Sequence, residues 1–226
     1  MRVESKPFML PGSVGLLQAI IDQPVQMGKN TIGSAATTTS ANHYIAVCCH
    51  PHPLHGGAMS NKVIYTASRS LAALGIISIR FNFRGVDKSE GQHDHGIGEQ
   101  DDLKAVVEWA DKTYPNRDLI LCGFSFGSHI SALQAKPLNS QLLINIAPPI
   151  GRIPLLNFIP PSRPWLVIQG DEDELVEHQQ VTDWVNSFEP QAEYIKMSGA
   201  SHFFHGQLTQ LRTAIETFTS QSLELN

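Results

Sequence analysis

The chain predicts an α/β fold, a mostly parallel central sheet with helices on both faces. Three observations carry this expectation. Short apolar, β-branched runs such as Tyr44 to Cys49 and Leu142 to Ala147 lack polar alternation, as strands buried on both faces do. Stretches with apolar residues three and four apart lie between them, as amphipathic helices require. The two patterns alternate along nearly the whole chain.

The elements follow in order. Gly12 to Gln26, with Val14, Leu16, Leu17, Ala19, Ile20 and Ile21, reads as an edge strand or hairpin, and the Gly/Ser/Thr-rich stretch Gly28 to Ala41 as an exposed loop. Tyr44 to Cys49 is a buried strand. Ser60 to Leu74 is a helix with Val63, Ala67, Leu71 and Leu74 on one face, Ser60 as N-cap and Gly75 behind it. Ile76 to Phe83 is a strand. Asp101 to Tyr114 is a helix closed by Pro115, Leu119 to Phe124 a strand, and Gly127 to Lys136 a helix stopped by Pro137. Leu142 to Ala147 and Trp165 to Gln169 are strands. Val181, Trp184, Val185 and Phe188 mark a helix ending before Pro190. Tyr194 to Met197 is the last strand, and Leu208, Leu211, Ile215 and Phe218 mark the last helix.

Composition bounds the function. The 226 residues bury a substantial core without staples, and no second pattern or internal repeat divides them, so 1–226 reads as one domain. Sixteen Lys and Arg stand against 21 Asp and Glu, a formal charge of −5 with no basic run, which argues against a nucleic-acid partner. No apolar run reaches membrane-helix length, and the N-terminus lacks the apolar core and cleavage site of a signal peptide. Cys48, Cys49 and Cys122 lie in apolar strands and read as small core fillers in a reducing, cytoplasmic compartment. Ten histidines, several closely spaced, need a further explanation.

In a parallel sheet, ligands bind at the carboxyl ends of the strands, so the loops there are where chemistry is sought. Gly123-Phe124-Ser125-Phe126-Gly127 directly follows a strand and opens a helix. The bare G-x-S-x-G pattern is weak, but this placement is the one its mechanics need. A serine on a tight strand-to-helix turn projects its hydroxyl, the flanking glycines leave room for close backbone, and the Phe126 N–H is free at a helix N-terminus to meet an oxyanion. A serine that only capped the helix would explain Ser125 but neither glycine.

A serine hydroxyl needs a base. Of His129, His178, His202 and His205 downstream, only His202 lies in a loop straight after a strand, with His205 the runner-up. The loop Gly170-Asp171-Glu172-Asp173-Glu174 supplies the acid. Spacing selects Asp173, with Val176 anchoring the loop, and Asp171 is the alternative. The acid holds the imidazole tautomer and stabilises the imidazolium. A second oxyanion donor belongs in the loop His50-Pro51-His52-Pro53-Leu54-His55-Gly56-Gly57. The prolines have no N–H, so the backbone of His52 is the first choice and Leu54 the second. The competing reading is a metal held by His50, His52 and His55 or by His93 and His95. No complete ligand set such as H-E-x-x-H accompanies them, so the expectation is no metal, with these rings packing around the site.

With these residues in hand, the chain resembles the α/β-hydrolase superfamily, and most of all its small, cap-less bacterial serine hydrolases related to the dienelactone hydrolases. The marks are His50-Pro51-His52-Pro53 with Gly56-Gly57 and Asn61-Lys62, Arg80-Phe81-Asn82-Phe83-Arg84-Gly85, Ser89-Glu90-Gly91, the Gly123 to Gly127 turn and His202-Phe203-Phe204-His205-Gly206. The resemblance spans about Gly12 to Phe218. It implies a Ser125, Asp173, His202 triad and no cofactor. It departs from dienelactone hydrolase in the narrow sense, whose nucleophile is cysteine, so that chemistry is not carried over. The expected activity is cleavage of a small-molecule ester or related acyl bond, with acyl transfer, a non-enzymatic binding role and metal-dependent hydrolysis as the alternatives. Arg84 and Leu54 are candidate substrate contacts. For Arg84 an ion pair with Asp87 or Glu90 is the competing role. Pro148 to Pro161, with Ile150, Ile153, Leu155, Leu156, Phe158 and Ile159, either walls an acyl pocket, covers the core or forms a homodimer contact.

Overall fold

A computed structural model describes residues 1–25, 40–155 and 158–225. Among these residues eight strands form one sheet: β1 (Val3–Pro11), β2 (Leu16–Pro24), β3 (Tyr44–Cys49), β4 (Ile77–Phe81), β5 (Asp118–Phe124), β6 (Leu142–Ile146), β7 (Trp165–Gly170) and β8 (Glu193–Met197). Their spatial order is β1-β2-β4-β3-β5-β6-β7-β8. The β1–β2 and β2–β4 pairs are antiparallel. Every other pair is parallel. Among the described residues five α-helices connect them: α1 (Lys62–Ala73), α2 (Gly98–Thr113), α3 (Phe126–Ala135), α4 (His178–Asn186) and α5 (Leu208–Ser222).

The period-2 alternation of the inner strands divides the core between the two faces. Ile45, Val47, Leu121, Leu143 and Val167 pack with Leu103 and Val106 of α2, Ile130 of α3 and Val181 of α4. Ala46, Cys48, Cys122, Ile144 and Ile168 face the other way, against Val63, Ala67 and Leu71 of α1 and Leu211, Ile215 and Phe218 of α5. All three cysteines are free and buried in these layers, and burial pushes the Cys49 thiol well up, so it is a packing group and not a nucleophile.

Two expectations change, and one open choice narrows. The hairpin begins at Val3, not Gly12, because β1 pairs along its whole length with β2, from Val3 opposite Pro24 to Pro11 opposite Leu16. The α1 cap is Asn61, whose Oδ1 accepts from the Val63 N–H at 2.9 Å, and Ser60 lies outside the helix. Ile150, Ile153 and Phe158 cover the core, and Phe158 meets Trp165, Trp184 and Phe188 ring to ring. Leu156 and most of the Gly28 to Ala41 stretch lie outside the described residues. Among the described residues no helix is long and apolar enough to cross a membrane.

Candidate active site

The Gly123 to Gly127 turn is built by close backbone contact. A Cβ at Gly127 would fall on the Cys49 carbonyl oxygen at the end of β3, and one at Gly123 on the Gly127 carbonyl. Between them Ser125 has φ 53° and ψ −118°, a conformation that costs a non-glycine residue about 1–3 kcal/mol and persists only where its surroundings hold it. The Ser125 N–H donates to the Ile146 carbonyl (2.9 Å), and its own carbonyl accepts from the N–H groups of Ser128 and His129. Ser125 thus precedes α3 in the N-cap position, yet its hydroxyl makes no capping bond. Instead Oγ lies 3.1 Å from His202 Nε2.

His202 stands in the loop after β8. It is 2% exposed and packed between the rings of Phe124 and Phe203. Its Nδ1 lies 2.7 Å from Asp173 Oδ2. The loop after β7 holds that carboxylate. Oδ1 accepts from the N–H groups of Leu175 and Val176, both at 2.8 Å, and Oδ2 accepts from Gln169 Nε2 at 2.8 Å. Burial pushes the Asp173 carboxyl up. The His202 hydrogen bond and charge and the Val176 and Leu175 N–H groups outweigh burial, holding the carboxyl below its usual value. Asp171 instead accepts from the Gly199 N–H (2.6 Å) and Glu174 from the His202 N–H (3.0 Å), so both tie the acid loop to the imidazole loop. His205 is exposed in a turn before α5. His178 begins α4. The His129 ring is buried on α3, and burial pushes it down to about 4.

The loop after β3 is equally determined. The His50 ring is fully buried, with Nδ1 2.6 Å from the Pro51 carbonyl and Nε2 3.0 Å from the Phe83 N–H. The first contact makes Nδ1 the donor and leaves Nε2 as acceptor for Phe83. Burial pushes this imidazole down to about 4. The Leu54 N–H donates to His52 Nδ1 at 3.2 Å, which occupies the second-choice backbone donor. The His52 N–H is engaged by no described residue. Phe126 is the first residue of α3, where an N–H has no carbonyl one turn earlier. Among the described residues no group of three or more His, Cys, Asp or Glu side chains is arranged to hold a metal ion.

Arg84 needs correction. The residue is 5% exposed, and its guanidinium makes 2.8–3.1 Å bonds to both oxygens of Asp102 and reaches Ser13 Oγ at 2.8 Å. Its charge is committed within the protein, to neither Asp87 nor Glu90, and it is not presented to a substrate. The rest of that segment braces loops as well. Arg80 pairs with Asp22 and the Met59 carbonyl, and Asn82 binds the Met59 N–H, Gln18 and Asp87. Leu54 is 66% exposed. Gln169, which orients Asp173, escaped sequence reasoning because it reads as the end of a buried strand.

Comparison with known proteins matches this framework. The family model of X-Pro dipeptidyl-peptidases (S15 family) matches residues 24–151. The chain belongs to the S15 family. With it, the chain is a member of the α/β-hydrolase superfamily. A lid-less α/β serine hydrolase from Xanthomonas campestris is 43% identical, with a TM-score of 0.86 over 98% of this chain and 96% of that one. An α/β serine hydrolase homologue from Coxiella burnetii is 42% identical, with a TM-score of 0.83 over 94% and 96%. The uncharacterized protein RP471 of Rickettsia prowazekii is 36% identical over 82% of each chain. This S15 member therefore has the serine hydrolase fold in its cap-less form.

Proposed function

We propose that this S15 member is a serine hydrolase that cleaves carboxylic esters through an acyl-enzyme, with Ser125 as nucleophile, His202 as base and Asp173 as its orienting acid. The observation that carries the reading is the unbroken line Ser125 Oγ to His202 Nε2 (3.1 Å) and His202 Nδ1 to Asp173 Oδ2 (2.7 Å), joining three loops distant in sequence. The short contact to Asp173 favours the tautomer with its proton on Nδ1, so the Nε2 lone pair faces the serine hydroxyl.

As Oγ attacks the ester carbonyl, Nε2 takes its proton. The carbonyl electron pair moves onto oxygen, where the N–H groups of His52 and Phe126 receive it. Collapse expels the alkoxide, which takes the proton from Nε2. Water then attacks the acyl-enzyme, His202 again accepts a proton, and Ser125 recovers it as the acid product leaves. Each oxyanion donor contributes on the order of a hundredfold or more. The strained turn at Ser125 holds its Oγ ready, so orientation is not spent at each turnover.

An ester needs only what this site holds: a nucleophile, a base and two donors. A peptidase reading is favoured by the family model. One experiment tests both. Wild type and Ser125→Ala are treated with a fluorophosphonate probe, then assayed on simple alkyl esters and a Gly-Pro anilide. The expected result is labelling and ester turnover that both vanish in Ser125→Ala. Equal labelling of the variant overturns the nucleophile assignment, and turnover of the anilide alone transfers the activity to peptides.

A further inference from the structure

The remaining histidines form a second structure beside the proposed site. The His52 and His55 rings stack, with centroids 4.4 Å apart and planes 25° apart. His93 lies 5.1 Å from His52 and 5.2 Å from His95. His52 and His93 both rest on the Phe126 ring, at 5.0 and 5.8 Å. One of the rings is hydrogen-bonded from below, and a second lies over a carboxylate. His52 Nδ1 accepts the Leu54 N–H. His93 Nδ1 lies 2.8 Å from the fully buried Glu99 carboxylate, which the N–H groups of Asp94 (2.8 Å) and Gly96 (2.7 Å) hold. The His55 and His95 rings are exposed.

We infer that this imidazole wall is a recognition surface for a planar, uncharged aryl group on the acyl side of the substrate. The inference rests on the ester reading above. The wall grows from the two residues whose N–H groups are assigned to the carbonyl oxygen, so a substituent of that carbonyl meets it directly. Imidazole faces and edges stack on another ring as other aromatic pairs do, each pair changing affinity by about two- to twelvefold. The surroundings of His52 and His93 disfavour an anion. Burial, then the neighbouring His55 and His93 rings, pushes His52 below its ordinary value, and Glu99 places a carboxylate beneath His93.

The test compares ethyl benzoate with ethyl cyclohexanecarboxylate, which has the same six-membered ring without the π face. Wild type is expected to favour the benzoate. His55→Ala is expected to lower kcat/KM for it about three- to tenfold, chiefly through KM, and to lower that for the saturated ester by a smaller factor, so that the benzoate preference falls. His55→Phe is expected to keep the preference, which a merely structural His55 has no reason to do. Equal turnover of the two esters by wild type, or a parallel loss on both in His55→Ala, overturns the inference. A second arm needs no chemistry: binding of benzamide and cyclohexanecarboxamide to Ser125→Ala protein. Tighter benzamide binding that disappears in Ser125→Ala/His55→Ala supports the wall even if no ester is cleaved, and equal binding of both amides overturns it. Absence of fluorophosphonate labelling in wild type counts against the ester reading alone.

Discussion

His50 offers the sharpest separation of chemistry from folding. Its ring spans two chain segments, donating to the Pro51 carbonyl and accepting the Phe83 N–H, and so fixes the loop that carries the His52 N–H. His50→Leu keeps the bulk but leaves Phe83 with a buried, unpaired donor, a cost of about 1–3 kcal/mol. If the loop relieves that cost by moving, the His52 donor moves with it. An equal rise in the barrier is a loss of about 5- to 150-fold in rate. The ceiling is complete loss of one oxyanion donor, about 10²–10³-fold. The assay is kcat and KM on an activated alkyl ester, the rate of fluorophosphonate labelling, and a thermal melt. Expected are a lower kcat, a KM within about threefold and labelling slowed in proportion, since phosphonylation uses the same donors. His50→Gln, whose Oε1 reaches the Phe83 N–H, is expected to recover most of the rate. An unchanged kcat in His50→Leu with a lowered melting temperature would refute the positioning argument and leave His50 as a core filler.

Asp173→Asn replaces an acceptor with a donor opposite His202 Nδ1 and is expected to lower kcat by about 10⁴ by reversing the tautomer; a loss under tenfold in steady-state assays counts against the assignment. Gly127→Ala drives a Cβ into the Cys49 carbonyl, so thermal melts should show about 1–3 kcal/mol of destabilisation, with reduced labelling at Ser125; wild-type behaviour in both would mean that the turn is not tightly packed. His50 and His129 are both pushed down by burial to about 4, so the unfolded chain binds more protons than the folded one below its ordinary imidazole value near 6.5. Stability is therefore full above about pH 6.5 and lost as pH falls toward about 4, by roughly 2–3 kcal/mol per ring at about pH 4.5. Urea unfolding of wild type and His129→Leu at about pH 7 and about pH 4.5 checks this, and an identical pH dependence in the variant removes His129 from the account.

Legibility followed burial. The inner strands β3 and β5 to β7 were readable because both their faces are apolar. β1 was not. It is an edge strand carrying Lys6, Pro7 and Pro11, largely exposed, and its pairing with β2 supplies what its own composition does not. Ser125, Asp173 and His202 were each selected from the loop that follows a strand, which a parallel sheet makes informative. The roles of Arg84, His50 and His93 were hidden for one shared reason. Their partners are Asp102, the Phe83 N–H and Glu99, and nothing in the neighbouring sequence marks them. For Arg84 sequence proximity pointed to Asp87 or Glu90, whereas the sheet delivers it to α2. Gln169 was hidden differently, as a polar residue inside an apolar run whose amide is satisfied only by the loop beyond it.

The strand order divides the proposed machinery into two separately braced halves. β3 and β5 are neighbours, with Cys49 opposite Gly123, and Gly127 packs on the Cys49 and His50 carbonyls. The nucleophile turn and the oxyanion loop are therefore set against each other by main chain and by His50. β7 and β8 are neighbours at the sheet's other end. There Asp171 holds the Gly199 N–H, the Glu172 N–H donates to the Ala200 carbonyl, and Glu174 holds the His202 N–H. A Cβ at Gly170 would fall on the Ala200 carbonyl, so these two loops also meet backbone to backbone. Between the halves stand β6, whose Ile146 carbonyl receives the Ser125 N–H, the hydrogen-bond contact from Ser125 to His202, and the Phe124 ring packed on His202. Each half is braced by hydrogen bonds and backbone contacts among its own loops. The exposed rings of His55 and Phe203 meet these halves only by ring contact, His55 on His52 and Phe203 on His202, and supply none of the hydrogen bonds that hold them, so the parts open to solvent are separate from the polar bracing.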